Sequence, residues 1–267
     1  LPSSAGLDGS GACLLHDGVS GATRTLRFLP PVAAGQGAPM LLVGLRALHA
    51  AYGRLPWAQI VAPAEGLARF GHPLAQALVK DLGDGALLMS DSAALTTFMN
   101  ARRQMLRAGE TFAQPVLAET LSRVRRGVEP SLMASVPAWE DARFSQAGDS
   151  QRFSLSPARE GRAGSTGFVV GDTNGTVIAC VLTMGRLFGT GTSVAGQGFL
   201  QADADAVRAA PLAAEMTLDR SGAHVIAARA SGAFSNTMDC KADDALGTLS
   251  CAAAVDDRGA GVARTLP

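Results

Sequence analysis

Hydrophobic residues follow a helical period in the first part of the chain and a strand period after Gly164. Within residues 38–127, one apolar stripe runs from Leu41 to Tyr52 and a second runs from Trp57 to Leu67. Residues that share one face of a helix recur at this spacing. The pattern predicts further helices from Pro73 to Leu82 and from Pro115 to Gly127, the last with a proline in its first turn.

Beyond Gly164, two apolar runs flank a tight turn. The runs are Gly167–Gly171 and Thr176–Met184, and the turn between them contains Asn174 and Gly175. An Asn-Gly pair between two apolar runs is a strong signal for a β-hairpin. The same pattern predicts further strands at residues 12–15, 25–28, 198–200, 215–218 and 224–229.

Residues 137–164 show neither period. Ser, Gly, Arg and Asp dominate this segment, which is typical of an exposed, mobile linker. Helices, then a linker, then strands together predict an α+β fold.

Composition excludes some functions. The 267 residues are 47% hydrophobic, and 23 basic residues balance 23 acidic ones. A chain without net charge attracts no polyanion over a long range, so we expect no nucleic-acid partner. Polar residues and glycines interrupt the longest apolar stretch, Phe168–Phe188, so we expect buried strands and no transmembrane helix.

The cysteine pattern leaves two readings open. Cys13 and Cys180 lie in apolar strand-like runs, where a cysteine is usually a buried thiol. Cys240 and Cys251 flank a polar loop and are either two free thiols or one disulfide. A disulfide would suit a periplasmic or extracellular protein. The spacing fits no zinc motif, and neither a metal nor a cofactor is expected.

Several segments, in the same order along the chain, resemble the γ-glutamyltransferase (γ-glutamyltranspeptidase) family. They include the glycine-rich Ser3–Gly11 and the signature-like Tyr-Gly-Arg-Leu-Pro-Trp at residues 52–57. The other matching segments are residues 62–64, 109–112, 114–118, 165–172, 188–191 and 251–260. The resemblance covers most of residues 1–127 and 164–267, in pieces.

The resemblance implies a fold and a chemistry. The fold is an N-terminal-nucleophile (Ntn) hydrolase αββα sandwich, here incomplete. The implied precursor cuts itself before Ser165, whose hydroxyl then attacks a γ-glutamyl amide while its freed α-amine accepts the proton. Thr183 would orient the nucleophile, and Arg27 would hold the substrate's α-carboxylate. Backbone N–H groups around Ser231 and Gly232 would form an oxyanion hole.

The resemblance also implies a division of the chain. Residues 1–136 correspond to the large subunit and residues 165–267 to the small subunit. Residues 137–164 form the exposed linker or processing region between them, and all three parts make one domain.

The differences from the family are concentrated in the expected pocket and support an alternative function. Gly167 replaces a histidine, Gly185 replaces an asparagine, and Ala213 and Ala214 replace paired serines. Residues 201–206 replace the stretch that holds the glutamyl amine. The alternative is therefore a non-catalytic accessory subunit. Missing elements would leave sheet or helix faces for a protein partner to cover.

Overall fold

The computed structural model describes most of the chain. The described residues are 2–30, 39–85, 89, 92–128, 137, 139–142, 144–147, 150–155, 164–210, 212–231, 237–243 and 248–253.

Strands and helices alternate in blocks along the chain. The strands are β1 (Ser10–His16), β2 (Thr23–Phe28), β3 (His72–Pro73), β4 (Thr111–Phe112), β5 (Trp139–Asp141), β6 (Phe144–Ala147), β7 (Ser150–Ser154), β8 (Ser165–Gly171), β9 (Val177–Thr183), β10 (Ala214–Leu218), β11 (Val225–Ser231), β12 (Thr237–Asp243) and β13 (Thr248–Ala253). The helices are α1 (Met40–Tyr52), α2 (Trp57–Phe70), α3 (Gln76–Gly85), α4 (Ser92–Thr96), α5 (Pro115–Arg125) and α6 (Ala204–Ala209).

Two antiparallel sheets stack face to face. The first has the strand order β5-β2-β1-β9-β8, and the second has the order β13-β12-β11-β10-β7-β6. Alternate residues of β1 and β9, such as Ala12 and Val181, meet Met216 and Ala230 of the second sheet in one buried cluster. Successive side chains of a strand point to opposite faces, so this cluster identifies the face of the first sheet that lies between the sheets.

Helices cover the other face of the first sheet. Phe28 of β2 packs against Met40 and Val43 of α1, and Leu42 on another side of α1 packs with α2 and α5. Within the described residues, no helix makes extensive contacts with the second sheet. The described layers are therefore helix, sheet and sheet.

Two predicted features are confirmed almost to the residue. Helix α2 begins at Trp57 and ends before Gly71, whose N–H bonds to the Leu67 carbonyl. Strands β8 and β9 form the predicted hairpin around Asn174 and Gly175. The helix predicted from Pro73 instead begins at Gln76, because residues 72–73 pair with β4.

The prediction of an irregular linker at residues 137–164 is wrong for much of that segment. Strand β5 extends the first sheet beside β2, and β6 and β7 extend the second sheet beside β10. Phe153 is buried between the sheets. These strands are short, and polar residues fill most positions, so their sequence carries little period-2 signal.

Two smaller predictions also differ from the structure. Residues 198–200 form no strand, and Leu200 only makes an isolated bridge with Ser193. Cys13 and Cys180 are not buried thiols: they face each other on β1 and β9 and form a disulfide, with Cα atoms 4.1 Å apart.

Backbone pairing places Cys240 of β12 opposite Cys251 of β13. Their side chains lie outside the part of the chain that the structure describes, so that disulfide stays a prediction.

The buried imidazole of His16 links the two sheets by hydrogen bonds. His16 lies at the end of β1 opposite Ser10. Its Nδ1 accepts from the Thr23 hydroxyl at 3.0 Å, and its Nε2 donates to the Ala223 carbonyl at 3.3 Å. Burial lowers the pKa of the His16 imidazole, which favours the neutral ring with one donor and one acceptor.

No helix among the described residues is long and apolar enough to cross a membrane.

Candidate functional site

Ser165 and Thr183 meet on the inter-sheet face of the first sheet. They are direct partners on the antiparallel strands β8 and β9. Ser165 is 3% exposed and Thr183 is fully buried. The Ser165 hydroxyl donates a hydrogen bond to Thr183 Oγ1, with the two oxygens 2.8 Å apart. The pairing of strands thus brings together two residues that the family resemblance singled out.

The peptide bond before Ser165 is held by the same network. Thr183 Oγ1 donates to the Gly164 carbonyl oxygen at 3.1 Å, and the Met184 N–H donates to that oxygen at 2.8 Å. The Gly185 N–H donates to Thr183 Oγ1 at 2.9 Å. Two donors on one carbonyl oxygen make it a ready acceptor of negative charge, which is the arrangement of an oxyanion hole.

Arg27 lies on the same face but at a distance. It pairs with Ala12 on β1, and two strands, β1 and β9, separate it from β8. At a strand spacing of ~4.8 Å, its backbone is about 14 Å from β8. Its guanidinium donates to the Leu155 carbonyl at 2.7 Å and so joins the two sheets. The substrate-binding role of Arg27 stays a prediction.

The predicted oxyanion hole at residues 231–232 cannot be placed. Ser231 ends β11, and Gly232 lies outside the described residues. The donors that the structure does place near Ser165 are the Met184 N–H and the Thr183 hydroxyl.

Backbone from neighbouring elements occupies the space beside two glycines of the expected pocket, Gly167 and Gly185. A Cβ at Gly167 would lie 2.8 Å from the Ala230 carbonyl oxygen of the second sheet. A Cβ at Gly185, whose φ is +81°, would lie 2.6 Å from the Asp203 carbonyl oxygen at the start of α6. Neither site accepts the histidine or asparagine that the resemblance leads one to expect. The close approach of backbone therefore explains both glycines.

Two polar residues near this site, Asp8 and Ser10, are buried without any signal in the sequence. Asp8 accepts a bond from the Ala202 N–H at 2.9 Å through Oδ2, while Oδ1 has no partner among the described residues. Burial is the main cause that raises the pKa of the Asp8 carboxyl to about 6. Both residues sit in a glycine-rich stretch without clear periodicity, so only the fold reveals that they are buried.

Asp8→Asn is expected to stabilise the protein at neutral and alkaline pH. The folded state raises the carboxyl pKa from 3.8 to about 6, so this residue favours folding fully below pH ~4 and loses that contribution as the pH rises through 6. Asparagine keeps the acceptor for Ala202 without the buried charge. Denaturant unfolding should give a gain of up to about 3 kcal/mol at pH 8 and almost none at pH 4.

The exposed Asp84→Asn variant removes the same charge and serves as the control for Asp8→Asn, with an expected change under about 0.5 kcal/mol. A gain for Asp8→Asn that is equal at pH 4 and pH 8 would contradict the buried-carboxylate explanation.

An apolar cavity of about 270 Å³ lies in the helical part. Its walls include Leu7, Leu67 of α2, Phe98, Leu117 of α5 and Phe199. Neither Ser165 nor Thr183 lines it, so this cavity is separate from the Ser165–Thr183 pair. The described residues also contain no group of three or more His, Cys, Asp or Glu side chains that could hold a metal ion.

Solved structures with the same arrangement define the class of fold. The chain is similar to cephalosporin acylase from Bacillus halodurans, with a TM-score of 0.74 and 12% identity over 98% of this chain and 88% of that chain. It is also similar to Helicobacter pylori γ-glutamyltranspeptidase, with a TM-score of 0.50 and 18% identity over 57% of each chain. These likenesses show an Ntn-hydrolase-like fold, in which Ser165 begins β8 at the edge of the first sheet.

Sequence comparison narrows the class. The family model described as gamma-glutamyltranspeptidase matches residues 32–130. The Pseudomonas aeruginosa glutathione hydrolase proenzyme is 35% identical over 92 residues, which are 34% of this chain and 16% of that protein. Human glutathione hydrolase 7 is 35% identical over 141 residues, which cover 45% of this chain and 20% of that protein.

The chain is therefore similar in sequence to the γ-glutamyltranspeptidase family over residues 32–130. It matches a fifth or less of the length of these curated relatives. The predicted α+β, Ntn-hydrolase-like fold is confirmed.

Proposed function

We propose that this chain cleaves its own Gly164–Ser165 peptide bond and that Ser165 then acts as an N-terminal nucleophile on an amide substrate. One observation carries the proposal. The Ser165 hydroxyl, the Thr183 hydroxyl and the Gly164 carbonyl form a continuous hydrogen-bonded chain, with the Met184 N–H as a second donor to that carbonyl.

The network supplies each part of the cleavage reaction. Ser165 Oγ attacks the Gly164 carbonyl carbon, and its proton passes to Thr183 while Thr183 gives its own proton to the carbonyl oxygen. When the tetrahedral intermediate collapses, the C–N bond breaks and the proton moves to the Ser165 nitrogen. Water then hydrolyses the resulting ester. The products are a carboxylate on Gly164 and a free α-amine on Ser165.

The freed Ser165 has both groups that amide chemistry needs. Its hydroxyl is the nucleophile, and its α-amine accepts the proton. A free α-amine has a reference pKa of ~7.7–8.0, so much of it is neutral near pH 8. Before cleavage the same nitrogen is an amide and cannot act as a base. Cleavage is therefore a condition for turnover.

The substrate we propose is a γ-glutamyl or related amide whose carboxylate contributes more to binding than its amine does. The names of the curated relatives specify glutathione hydrolysis, and glutathione carries a γ-glutamyl group. In this chain Arg27 would supply the cation for the carboxylate, whereas Ala213 and Ala214 are small, buried and apolar. Each hydrogen bond lost to a charged group costs roughly 1.5–3 kcal/mol.

Paired anilide substrates test this specificity. Glutaryl-p-nitroanilide keeps the carboxylate of γ-glutamyl-p-nitroanilide and lacks only its amine. We expect kcat/KM to be at least about tenfold higher for the glutaryl compound than for the γ-glutamyl compound. This factor corresponds to one polar contact that the amine of the γ-glutamyl compound loses on binding. Ser165→Ala should release no p-nitroaniline from either compound. Hydrolysis that persists in Ser165→Ala would contradict the proposed nucleophile.

A second candidate function is a non-catalytic subunit of a larger protein complex. It is favoured by the burial of Ser165 and by the backbone that fills the space at Gly167 and Gly185. Apolar side chains on α2 are also exposed, among them Phe70 at 78%. Copurification with one partner at fixed stoichiometry would support this candidate, and a lone monodisperse monomer without a partner would count against it.

The disulfide supports a location outside the reducing cytosol. Cys13 and Cys180 are bonded to each other, and such bonds persist mainly in oxidising compartments. We propose that the protein works in the periplasm or outside the cell.

A further inference from the structure

Three hydroxyl side chains form a row across the first sheet. Thr183 of β9 is the direct partner of Ser165 on β8 and of Ser10 on β1. Ala12, two residues after Ser10, and Val181, two residues before Thr183, both belong to the inter-sheet cluster. Because side chains alternate along a strand, Ser10, Thr183 and Ser165 all face the space between the sheets.

Ser10 is the member of this row that the proposed cleavage does not use. It is 1% exposed, and its Oγ has no hydrogen-bond partner within the part of the chain that the structure describes. Burying a hydroxyl without a partner normally costs stability. A partner that becomes available in another state of the protein would explain why a hydroxyl is buried here.

The Thr183 hydroxyl uses its full hydrogen-bonding capacity while the chain is uncut. Its hydroxyl donates to Gly164 and accepts from Ser165 and from the Gly185 N–H. A hydroxyl has one hydrogen and two lone pairs, so all three of its bonds are made. Ser10 is excluded from the network only for as long as the Gly164 carbonyl holds the Thr183 hydrogen.

Cleavage removes that constraint. Gly164 becomes a chain end that is no longer fixed by a bond to Ser165, so the Thr183 hydrogen loses its covalently positioned acceptor. Ser10 lies on the other side of Thr183. Directly opposite residues of an antiparallel pair have Cβ atoms ~4.5–5.5 Å apart, which places the two hydroxyls within reach of each other after a rotamer change.

We infer that Ser10 is a positioning residue of the cleaved site, a role that rests on the proposed self-cleavage. Its Oγ accepts the hydrogen that Thr183 formerly donated to Gly164. Thr183 then keeps its lone pairs directed at Ser165 and the Gly185 N–H. Ser10 thus acts on the nucleophile through Thr183 and has no part in the cleavage step itself.

The test compares chain cleavage with the reactivity of Ser165 in the cleaved protein. Cleavage is followed by mass spectrometry under reducing conditions, and Ser165 is then sulfonylated with phenylmethylsulfonyl fluoride between pH 6 and pH 9. For Ser10→Ala we expect cleavage within about twofold of wild type and sulfonylation about tenfold slower at every pH. Ser10→Thr retains the hydroxyl and should stay within about threefold of wild type. Ser122→Ala, a buried serine on α5, is the matched control.

Ser10→Cys keeps the side-chain shape with a weak acceptor, so it should lose reactivity like Ser10→Ala and replaces that variant if the alanine protein does not fold. Rescue by threonine but not by cysteine, at unchanged melting temperature, separates positioning from a structural role.

Equal sulfonylation of cleaved wild type and cleaved Ser10→Ala would overturn the role of Ser10 and leave the proposed function intact. A Ser10→Ala chain that folds but stays uncut would also overturn it, because Ser10 would then act in the first step. A wild-type chain that stays uncut, or that is cut but resists sulfonylation at every pH, would overturn the proposed function as well.

Discussion

Thr183→Val is expected to slow cleavage of the Gly164–Ser165 bond by about 10²–10³-fold. Valine keeps the shape of threonine but removes the donor to the Gly164 carbonyl and the acceptor for the Ser165 hydroxyl. Loss of one oxyanion-hole donor alone typically costs this much in rate. The remaining Met184 N–H should sustain a slow residual reaction. The measurement is the fraction of cut chain against time, on a reducing gel.

Two variants control for effects on folding. Thr183→Ser keeps the hydroxyl and should retain cleavage within about tenfold of wild type. Thr217→Val makes the same substitution on β10, in the second sheet, and should leave the rate unchanged. If Thr183→Val is cleaved at the normal rate, the hydrogen bonds that link Ser165, Thr183 and Gly164 do not drive the reaction.

Removal of the Cys13–Cys180 disulfide is expected to cost about 4–5 kcal/mol of the free energy of unfolding. The bond closes a loop with a sequence separation of 167 residues, and the stabilisation from restricting the unfolded chain grows with loop length. The test is denaturant unfolding of Cys13→Ala/Cys180→Ala in a Ser165→Ala background, where the chain stays uncut and the loop stays closed.

The Ser165→Ala parent chain, treated with a reductant, should lose nearly the same stability as the double alanine variant. An unfolding midpoint that neither the substitutions nor the reductant changes would contradict a bonded pair in the folded protein.

Local chemistry explains which parts of the fold were predictable. Helix α2 has an apolar stripe and a glycine stop, and the β8–β9 hairpin has alternating apolar runs around Asn174-Gly175. Both signals lie within a few neighbouring residues. Strands β5 to β7 carry few apolar residues, and they are strands because β2 and β10 offer them partners. These pairing partners lie far away in the sequence, so no pattern within β5 to β7 predicts the strands.

In the candidate site, too, some residues were predictable from nearby sequence and others depend on contacts between distant segments. Family resemblance was enough to single out Ser165 and Thr183, and strand register places them together. The Cys13–Cys180 bond was missed because the pairing of β1 with β9 has no local signature. Asp8 and Ser10 were missed because a polar residue in a glycine-rich stretch is usually exposed, and only the packed sheets reveal their burial.

The disulfide determines how cleavage must be detected. Cys13 lies before the proposed cut and Cys180 lies after it, so the bond would hold the two fragments together. Without a reductant, a cut protein would differ from an uncut one only by the mass of one added water. A gel run without reductant would therefore show a single band in either case.

The most direct test is the intact mass of the purified wild-type chain, measured before and after reduction. Self-cleavage predicts one species, heavier than the sequence by one water, that separates on reduction into two fragments, the second beginning at Ser165. A reduced chain that keeps the full mass of all 267 residues, after long incubation at pH 8, would contradict the account.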